Sequence, residues 1–297
     1  MEIGFIGLGK MGYNMVKRLC IGGHVVFGAD RSGSKKSEIE KIGASWVDEF
    51  SEFSRKLKSP RVVWIMVPSG EVTETVINSV SNFLSSGDIL IDGGNSHYLD
   101  SIRRANEMSE KEIGFVDVGT SGGVWGLENG YCMMVGGVKH FVDVISPILT
   151  TLAPPDGWKY LGESGSGHFV KMVHNAIEYG MMQSFAEGFE LMEHSGFNLD
   201  LGKIARLWNQ GSVIRSWLCE LSETVFFENP KLENLQGKVE ESGECRWAIE
   251  AALEKKIPTP VFASSLFSRF SSKNENAFSN RFLASLRNKF GGHSVIR

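Results

Sequence analysis

The sequence has little cysteine and no long apolar run. Its cysteines, Cys20, Cys132, Cys219 and Cys245, form no CxxC pair and stand at no zinc-binding spacing from histidine. We therefore expect reduced, mostly buried thiols, as in a cytoplasmic protein, and no metal site. No apolar run reaches the roughly 20 residues of a membrane-spanning helix. Residues 3–7 read as a strand rather than as part of a signal peptide, so we expect no membrane partner.

A strong charge of either sign is also missing. The 31 Lys and Arg residues and the 35 Asp and Glu residues give a formal net charge of −4, and the basic residues are scattered. Nucleic-acid-binding proteins concentrate Lys and Arg on one face or arm, so we expect no nucleic-acid partner. Hydrophobic residues make up 42% of the 297 residues, which is enough to form the core of one large domain or two ordinary ones.

The chain does have glycine at special positions near its start. An apolar strand at residues 2–6 precedes a GxGxxG motif, and residues 13–19 then read as a helix. In this order the first glycine permits a tight turn, the second lets the backbone approach a pyrophosphate, and the third packs helix on strand. The helix N-terminus adds N–H groups and partial positive charge. The predicted cofactor-binding turn is Gly7, Leu8, Gly9, Lys10, Met11 and Gly12.

Asp30 follows a second predicted strand, residues 23–29, and favours NAD as the cofactor. It comes 18 residues after Gly12, where an acidic side chain can accept hydrogen bonds from the ribose hydroxyls. A carboxylate at this position repels the 2′-phosphate of NADP, although NADP stays open. Two alternatives remain: Asp30 could simply form a turn, and Arg31 could stack on adenine or meet a phosphate.

Strand and helix patterns alternate up to residue 152. Strand patterns cover 61–68, 88–92, 115–118 and 133–137, and helical patterns cover 71–84 and 139–152. Loops after parallel strands border the ligand cleft of a doubly wound sheet. We therefore expect Val67 to lie beside the cofactor and Asn95 to reach nicotinamide or substrate. The loop Ser121-Gly122-Gly123 offers N–H groups and a hydroxyl to an anionic or polyol ligand; plain turns are the alternative.

Beyond Pro154-Pro155-Asp156-Gly157 only helical patterns remain. They cover residues 167–195, 200–209, 213–227, 244–255, 260–271 and 274–289. We predict a Rossmann-like α/β domain with a doubly wound, mostly parallel sheet over residues 1–162. An all-α substrate and oligomerisation domain with a C-terminal tail should follow over residues 163–297. Ligand sites form preferentially between such domains.

The stretch from Gly165 to Gly180 is the richest in chemistry. Four polar residues recur there at the spacing i, i+3, i+4 and i+7, which puts them on one helix face: Lys171, His174, Asn175 and Glu178. A candidate base and a candidate acid thus lie two turns apart. Apolar residues on the other faces should anchor the helix: Phe169, Val170, Val173 and Ile177. The alternative is a solvated polar stripe with one charge pair.

Taken together, these motifs resemble the decarboxylating 6-phosphogluconate dehydrogenases, in their short form, within the β-hydroxyacid dehydrogenase superfamily. Similar segments are residues 7–14, 92–96, 119–123, 167–180 and 287–293. The broader superfamily shares the glycine-rich features. It lacks the His174-Asn175-x-x-Glu178-Tyr179 pattern and the terminal Phe290-Gly291-x-His293. The resemblance implies oxidative decarboxylation of 6-phosphogluconate to ribulose 5-phosphate and CO₂ with reduction of NAD(P), in the pentose phosphate pathway or gluconate utilization.

The resemblance also implies roles for individual residues. Lys171 would be the base that takes the proton of the substrate's 3-hydroxyl, and Glu178 the acid that protonates C1. Residues that would hold the substrate's carboxylate and hydroxyls are Asn95, Ser121, Gly122, Gly123, His174 and Asn175. Residues that would bind its phosphate end are Tyr179, Arg246, Arg269, Arg287 and His293. The last two would reach a neighbouring subunit's site, which implies a homodimer or homotetramer with exchanged tails.

The chain departs from longer family members in three ways. Arg246 stands where many carry Lys, the second helical half is missing, and Asp30 replaces the polar residue that suits NADP. Two rival functions stay open. One is a β-hydroxyacid dehydrogenase that does not decarboxylate, such as a 3-hydroxyisobutyrate dehydrogenase, which would have no use for the phosphate-binding Arg269. The other is a non-catalytic dinucleotide sensor, which would need neither Lys171 nor Glu178.

Overall fold

One eight-stranded sheet organises the first part of the chain. The computed structural model describes residues 1–274, 276–291 and residue 294. The strands are β1 Glu2–Ile6, β2 Val25–Ala29, β3 Ser45–Trp46, β4 Val62–Ile65, β5 Ile89–Asp92, β6 Gly114–Ser121, β7 Cys132–Gly137 and β8 Trp158–Gly162. Their order in the sheet is β3-β2-β1-β4-β5-β6-β7-β8. Successive strands are therefore added toward one edge of the sheet up to β3 and toward the other edge from β4 onward. Doubly wound sheets bind ligands at this switch point, between β1 and β4.

All strand pairs are parallel except β6 with β7, which is antiparallel. The central strands β4 and β5 are buried along their whole length, and every residue in them is apolar except the final Asp92. Such continuous apolar runs are typical of parallel strands that are covered on both faces. In the sheet Phe5 is opposite Trp64, and the two rings stack with their centroids 6.1 Å apart.

Helices cover both faces of this sheet. They are α1 Lys10–Ile21, α2 Lys36–Lys41, α3 Phe53–Lys56, α4 Glu71–Ser81, α5 Tyr98–Glu110, α6 Gly126–Asn129 and α7 Lys139–Leu152. Apolar residues of α1, α2 and α7 pack into one buried cluster, and those of α3, α4 and α5 pack into a second. The predicted Rossmann-like, mostly parallel architecture is confirmed.

Two strands were missed by the sequence patterns. β8 follows the Pro154–Gly157 turn, after which we expected helices alone, and it pairs with β7 at one edge of the sheet. Its side chains alternate between half-buried and exposed, so it lacks the continuous apolar run of the central strands. The short β3 forms the opposite edge. Edge strands bury less of each side chain, which weakens their sequence pattern.

The remainder of the chain is helical. The long α8 spans Ser166–Glu193 and is followed by α9 Leu201–Trp208, α10 Trp217–Glu228, α11 Glu244–Glu254, α12 Pro260–Ser272 and α13 Phe278–Gly291. α10 starts four residues later than predicted because Ser216 caps it by accepting a hydrogen bond from the Cys219 N–H at 3.1 Å. The chain divides into two compact units, residues 1–174 and 175–297. The functional boundary at residue 162 stays a prediction.

Two expectations about burial need correction. Val170 and Ile177, expected to anchor α8, are 39% and 49% exposed, because the apolar packing of this helix uses other faces. Of the four thiols, Cys219 and Cys245 are buried, but Cys132 is exposed at the start of β7. Within the described ranges, every helix is too short or too polar to cross a membrane.

Candidate active site

The turn between β1 and α1 depends on glycine for space. Gly7 has a φ of +96°, and a Cβ on it would lie 2.2 Å from the Met66 carbonyl oxygen. A Cβ on Gly12 would lie 1.9 Å from the carbonyl oxygen of Gly7. At Gly9, in contrast, a Cβ would meet nothing within 4 Å. The outer two glycines therefore let the helix pack on the strand, and the middle one leaves open space for a ligand to approach the backbone.

The N-terminus of α1 is suited to a pyrophosphate. Its N-cap is Gly9, and no side chain of the described residues caps it. The first N–H groups of a helix lack partners within the helix and carry partial positive charge, so they bind anions. The backbone from Gly7 to Gly12 thus fits the phosphates of a dinucleotide.

Asp30 is tied to this turn. Its Oδ2 accepts a hydrogen bond from the Leu8 N–H at 2.7 Å, and its Oδ1 accepts one from the Ser32 N–H at 3.0 Å. The Ser32 bond closes a local turn, so the turn-forming role holds alongside any role in cofactor binding. Each carboxylate oxygen keeps a second lone pair that can accept from a ribose hydroxyl. Arg31, next in the chain, is exposed.

Val67 and Asn95 lie on loops that follow neighbouring strands. Val67 follows β4 and packs against Gly7, where an added Cβ would be 2.9 Å from the valine Cγ1. A Cβ on Gly94 would be 3.0 Å from the carbonyl oxygen of Val67. The loop that carries the exposed Asn95 therefore borders the same opening as the glycine-rich turn.

A buried ionic network, missed at the sequence level, underlies the Asn95 loop. Asp92, at the end of β5, accepts from Arg104 Nη1 at 3.0 Å, from Ser96 Oγ at 2.7 Å and from the Gly94 N–H at 3.2 Å. Arg104 and Asp92 are 1% and 0% exposed. The Asp at the strand end and the Arg on the next helix were visible in the sequence, but nothing local pairs them.

The start of α8 is fixed to the middle of β6. Asp117 accepts hydrogen bonds from the N–H groups of Gly165 at 2.7 Å and His168 at 2.9 Å. A carboxylate at a helix N-terminus satisfies N–H groups and interacts favourably with the helix dipole. Two residues along β6, an added Cβ on Gly119 would lie only 2.3 Å from Lys171 Cβ. Lys171 is thus packed directly onto the strand backbone.

Three predicted site residues form a chain of polar contacts. Lys171 Nζ lies 3.5 Å from His174 Nδ1, and His174 Nε2 lies 3.5 Å from Ser121 Oγ. Lys171 is 6% exposed and Asn175 is 8% exposed. Gly122 and Gly123, which follow Ser121, both adopt positive φ, +125° and +53°. The amine, the imidazole and the hydroxyl therefore converge beside a loop that offers backbone N–H groups.

In the second compact unit, the predicted phosphate-binding Arg269 is held over an aromatic ring. Its guanidinium carbon lies 3.4 Å from the ring centroid of Tyr179, and Nη1 donates to the carbonyl oxygen of Glu240 at 2.8 Å. The Tyr179 hydroxyl accepts from the Ser242 N–H at 3.1 Å. A stacked guanidinium keeps its in-plane donors available for a bidentate anion. Glu178 precedes Tyr179, two turns along α8 from Lys171.

Arg246 and the tail residues are placed less completely. Arg246, on α11, donates to the carboxylate of Glu241, a partner that the sequence did not suggest, and its side chain is 51% exposed. Glu241 also accepts from the Gly243 N–H at 2.7 Å, which closes the turn before α11. Arg287 is exposed on α13, and the predicted tail residue His293 lies outside the described residues. The described residues contain no group of three or more His, Cys, Asp and Glu that could hold a metal ion.

Both parts of the chain match family models. Residues 2–162 match the NAD binding domain of 6-phosphogluconate dehydrogenase, and residues 167–277 match the C-terminal domain of 6-phosphogluconate dehydrogenase. The first match covers the glycine-rich turn, Asp30 and the Asn95 loop. The second covers Lys171, Tyr179, Arg246 and Arg269.

Full-length relatives support the same assignment. YqeC of Bacillus subtilis is 46% identical over 295 residues, which is 99% of both chains. A Haloferax volcanii protein named as an NAD(+)-dependent, decarboxylating 6-phosphogluconate dehydrogenase is 40% identical over 299 residues, which cover 100% of this chain and 99% of the relative.

A solved structure shares the fold across the whole chain. It is the Plasmodium falciparum 6-phosphogluconate dehydrogenase, described in its apo form and in complexes with NADP+ and with 6-phosphogluconate. The two chains align with a TM-score of 0.85 at 27% identity, over 100% of this chain and 66% of that chain. The chain belongs to the 6-phosphogluconate dehydrogenase family, and its first domain is an NAD-binding domain.

Proposed function

We propose that this protein catalyses the oxidative decarboxylation of 6-phosphogluconate to ribulose 5-phosphate and CO₂, with NAD as the oxidant. The observation that carries the proposal is the buried Lys171, whose amine lies 3.5 Å from His174, which in turn contacts Ser121, on a helix fixed to β6. A dinucleotide sensor would have no use for an amine in this position. NAD, when bound along the Gly7–Gly12 turn, supplies the acceptor for the hydride that leaves C3 of the substrate.

Lys171 acts first as a base. In its neutral form it takes the proton of the 3-hydroxyl while C3 is oxidised, so that the hydroxyl becomes a carbonyl. His174, 3.5 Å from the amine, fixes the lysine side chain and offers a second hydrogen-bonding group to the substrate. The product of this step is a 3-keto acid whose carbonyl is β to the carboxylate.

The same lysine then acts as an acid. As the C1–C2 bond breaks and CO₂ departs, the bonding electrons pass to the oxygen at C3, which takes a proton from protonated Lys171 to give an enediol. Glu178 then donates a proton to C1, which was C2 of the substrate, while neutral Lys171 takes back the hydroxyl proton, and ribulose 5-phosphate is formed. A β-keto acid loses CO₂ through this electron sink, so the residues of this chain suffice for the step.

Substrate binding is divided between two groups of residues. Asn95, Ser121, Gly122, Gly123, His174 and Asn175 hold the carboxylate and hydroxyls. Tyr179, Arg246 and Arg269 bind the phosphate, and the stacked Arg269 presents a preformed guanidinium fork. Arg287 and His293 complete the site of a neighbouring subunit in a homodimer or homotetramer.

NAD is preferred to NADP. The Asp30 carboxylate is held in place by two backbone N–H groups, 2.7 and 3.0 Å away. A fixed negative charge repels a 2′-phosphate and accepts hydrogen bonds from the free ribose hydroxyls of NAD. The name of the Haloferax relative also specifies NAD.

The test is a set of initial rates with 6-phosphogluconate, with gluconate and with 3-hydroxyisobutyrate, each with NAD and with NADP. We expect the highest kcat/KM for 6-phosphogluconate with NAD, with one CO₂ trapped for each NADH formed. NADH formation without CO₂ would contradict decarboxylation. Turnover of 3-hydroxyisobutyrate in preference to 6-phosphogluconate would instead identify the non-decarboxylating rival, whose substrate has no phosphate for Arg269.

A further inference from the structure

Helix α5 carries two buried polar side chains that no role in the reaction explains. Ser101 and Arg104 are 0% and 1% exposed, and their spacing of three residues places them on one face of the helix. Burying a guanidinium is costly unless it is paired and hydrogen-bonded. The contacts of these two residues therefore indicate what the burial achieves.

Arg104 reaches the loop that carries Asn95. Its Nη1 donates to Asp92 Oδ2 at 3.0 Å and to Ser96 Oγ at 3.2 Å, and its Nε donates to Glu74 at 3.0 Å. Asp92 in turn accepts from the Gly94 N–H at 3.2 Å. Gly94 and Ser96, the residues on either side of Asn95, thus both hydrogen-bond to the buried Arg104–Asp92 ion pair, which fixes the position of the loop.

Ser101 reaches the first turn of α8. Its Oγ lies 2.6 Å from Nδ1 of His168, which is itself 1% exposed. His168 is also held through its backbone N–H, which donates to Asp117 at 2.9 Å. Lys171 follows His168 by three residues, less than one turn of the helix. The position of the amine along the sheet is therefore set partly by the Ser101 contact.

We propose that α5 is a brace that holds the Asn95 loop and the first turn of α8 in a fixed relation, with Arg104 and Ser101 as its positioning residues. The proposal rests on the proposed function in one respect: Asn95 and Lys171 must both act on the substrate. The reaction requires such rigid support because displacement of a reacting group by about 1 Å can lower the rate by about 100-fold. Both side chains are buried, so they act through the groups they contact rather than on the substrate itself.

The neighbouring Arg103 provides a matched control. It lies on the same helix and shares the partner Glu74, with Nη2 at 2.6 Å from its carboxylate, but its side chain is 45% exposed and its ion pairs are with Glu74, Asp100 and Glu107. Arg103→Met and Arg104→Met therefore make the same chemical change at adjacent positions. Only the second breaks a contact beneath the Asn95 loop.

The experiment combines a double-mutant cycle with hydrogen–deuterium exchange. Asn95→Ala is made in the wild type, in Arg103→Met and in an Arg104→Met/Asp92→Asn variant, which leaves no unpaired buried charge. We expect Asn95→Ala to raise the KM for 6-phosphogluconate by about 10- to 100-fold in the first two backgrounds. In the third it should add less than about threefold, because the loop is already displaced.

Exchange is measured on the same proteins without substrate. Amides of residues 93–97 should exchange faster in Arg104→Met/Asp92→Asn than in Arg103→Met, and amides of residues 166–171 should exchange faster in Ser101→Ala. Equal exchange in all variants would overturn the brace, whichever substrate the enzyme uses. Full additivity of Asn95→Ala in the cycle would also overturn it. If the wild type fails to turn over 6-phosphogluconate, the proposed function is refuted, and the exchange data alone decide on the brace.

Discussion

The contact between Gly119 and Lys171 predicts a large effect from a single methyl group. In Gly119→Ala the new Cβ would lie 2.3 Å from Lys171 Cβ and 2.9 Å from the carbonyl oxygen of Gly167. One of these neighbours is the backbone of α8 and the other is the first side-chain carbon of the proposed base. Neither is the flexible end of a long side chain, so the helix itself must move.

The size of the effect follows from this geometry. Carbon atoms in contact lie about 3.5–4.0 Å apart, so the Lys171 Cβ must shift by about 1 Å or more. Overpacking of this kind costs about 1–3 kcal/mol of stability. A displacement of about 1 Å in a reacting group costs about 100-fold in rate. We therefore expect Gly119→Ala to fold with a reduced Tm and to lose about 100-fold in kcat with 6-phosphogluconate.

The assay needs a control glycine replacement on α8, the helix that Gly119→Ala is expected to displace. Gly188 lies on the exposed side of α8, where an added Cβ would meet nothing within 4 Å. Gly188→Ala should raise stability by roughly 0.5–1 kcal/mol, because alanine loses less backbone entropy in a helix. Its kcat should stay at the wild-type value. Initial rates at saturating substrates, with Tm for each variant, separate loss of chemistry from loss of fold.

One result would refute this reasoning. If Gly119→Ala kept kcat within about twofold of wild type at an unchanged Tm, the close approach of β6 to Lys171 would not set the position of the amine. A lower Tm with unchanged kcat would show that the contact stabilises the fold alone.

Three further predictions concern cofactor choice, acid stability and thiols. Asp30→Ala should lower the ratio of kcat/KM for NAD over NADP by about tenfold, or 1.4 kcal/mol, and an unaltered ratio would place the discriminating group elsewhere. Hydrogen bonds from Arg103 and then Arg104 hold the pKa of Glu74 below its usual 4.5, so its stabilisation is present above that pH and is lost as the pH falls through the lower, folded-state value. The Tm advantage of the wild type over Glu74→Gln should therefore be constant from neutral pH down to about pH 5 and shrink as the pH falls further, and a gap that stays constant at lower pH would contradict it. Burial raises the pKa of Cys245 to about 11, so a disulfide reagent at neutral pH should react with the exposed Cys132 first. Cys132→Ser should remove this fast phase, and fast labelling of Cys245 would contradict the prediction.

Much of the fold could be predicted because its patterns are local. The glycine-rich turn and the central strands are encoded in short runs of neighbouring residues, and α8 was predicted at 167–195 and observed at Ser166–Glu193. β8 was not predicted for two reasons. It is an edge strand whose residues alternate between half-buried and exposed, and it follows a Pro/Gly turn that we interpreted as the end of the α/β pattern. The exposure of Val170 and Ile177 could not be predicted because periodicity shows which residues share a helix face but not which face packs against the rest of the protein.

The residues of the candidate site could be predicted from the sequence, but the long-range contacts that hold them in place could not. The spacing of Lys171 and His174 required only a helix, and the structure places Lys171 beside His174 and His174 beside Ser121. The contact between Ser101 and His168 joins residues 67 positions apart, and no local pattern indicates such a pair. Glu241 was not predicted for a different reason: an acidic residue two positions before a glycine is typical of a solvated turn, although here it pairs with Arg246.

The central claim is that the buried amine of Lys171 removes the proton from the substrate hydroxyl. Lys171→Met keeps the length and apolar stem of the side chain and removes only the amine. With 6-phosphogluconate and NAD at saturation, we expect kcat for NADH formation to fall by about 10²–10⁴-fold while the Kd for NAD and the Tm change little. Turnover of Lys171→Met at the wild-type rate would show that the proton is taken by another group, and the proposed mechanism would be wrong.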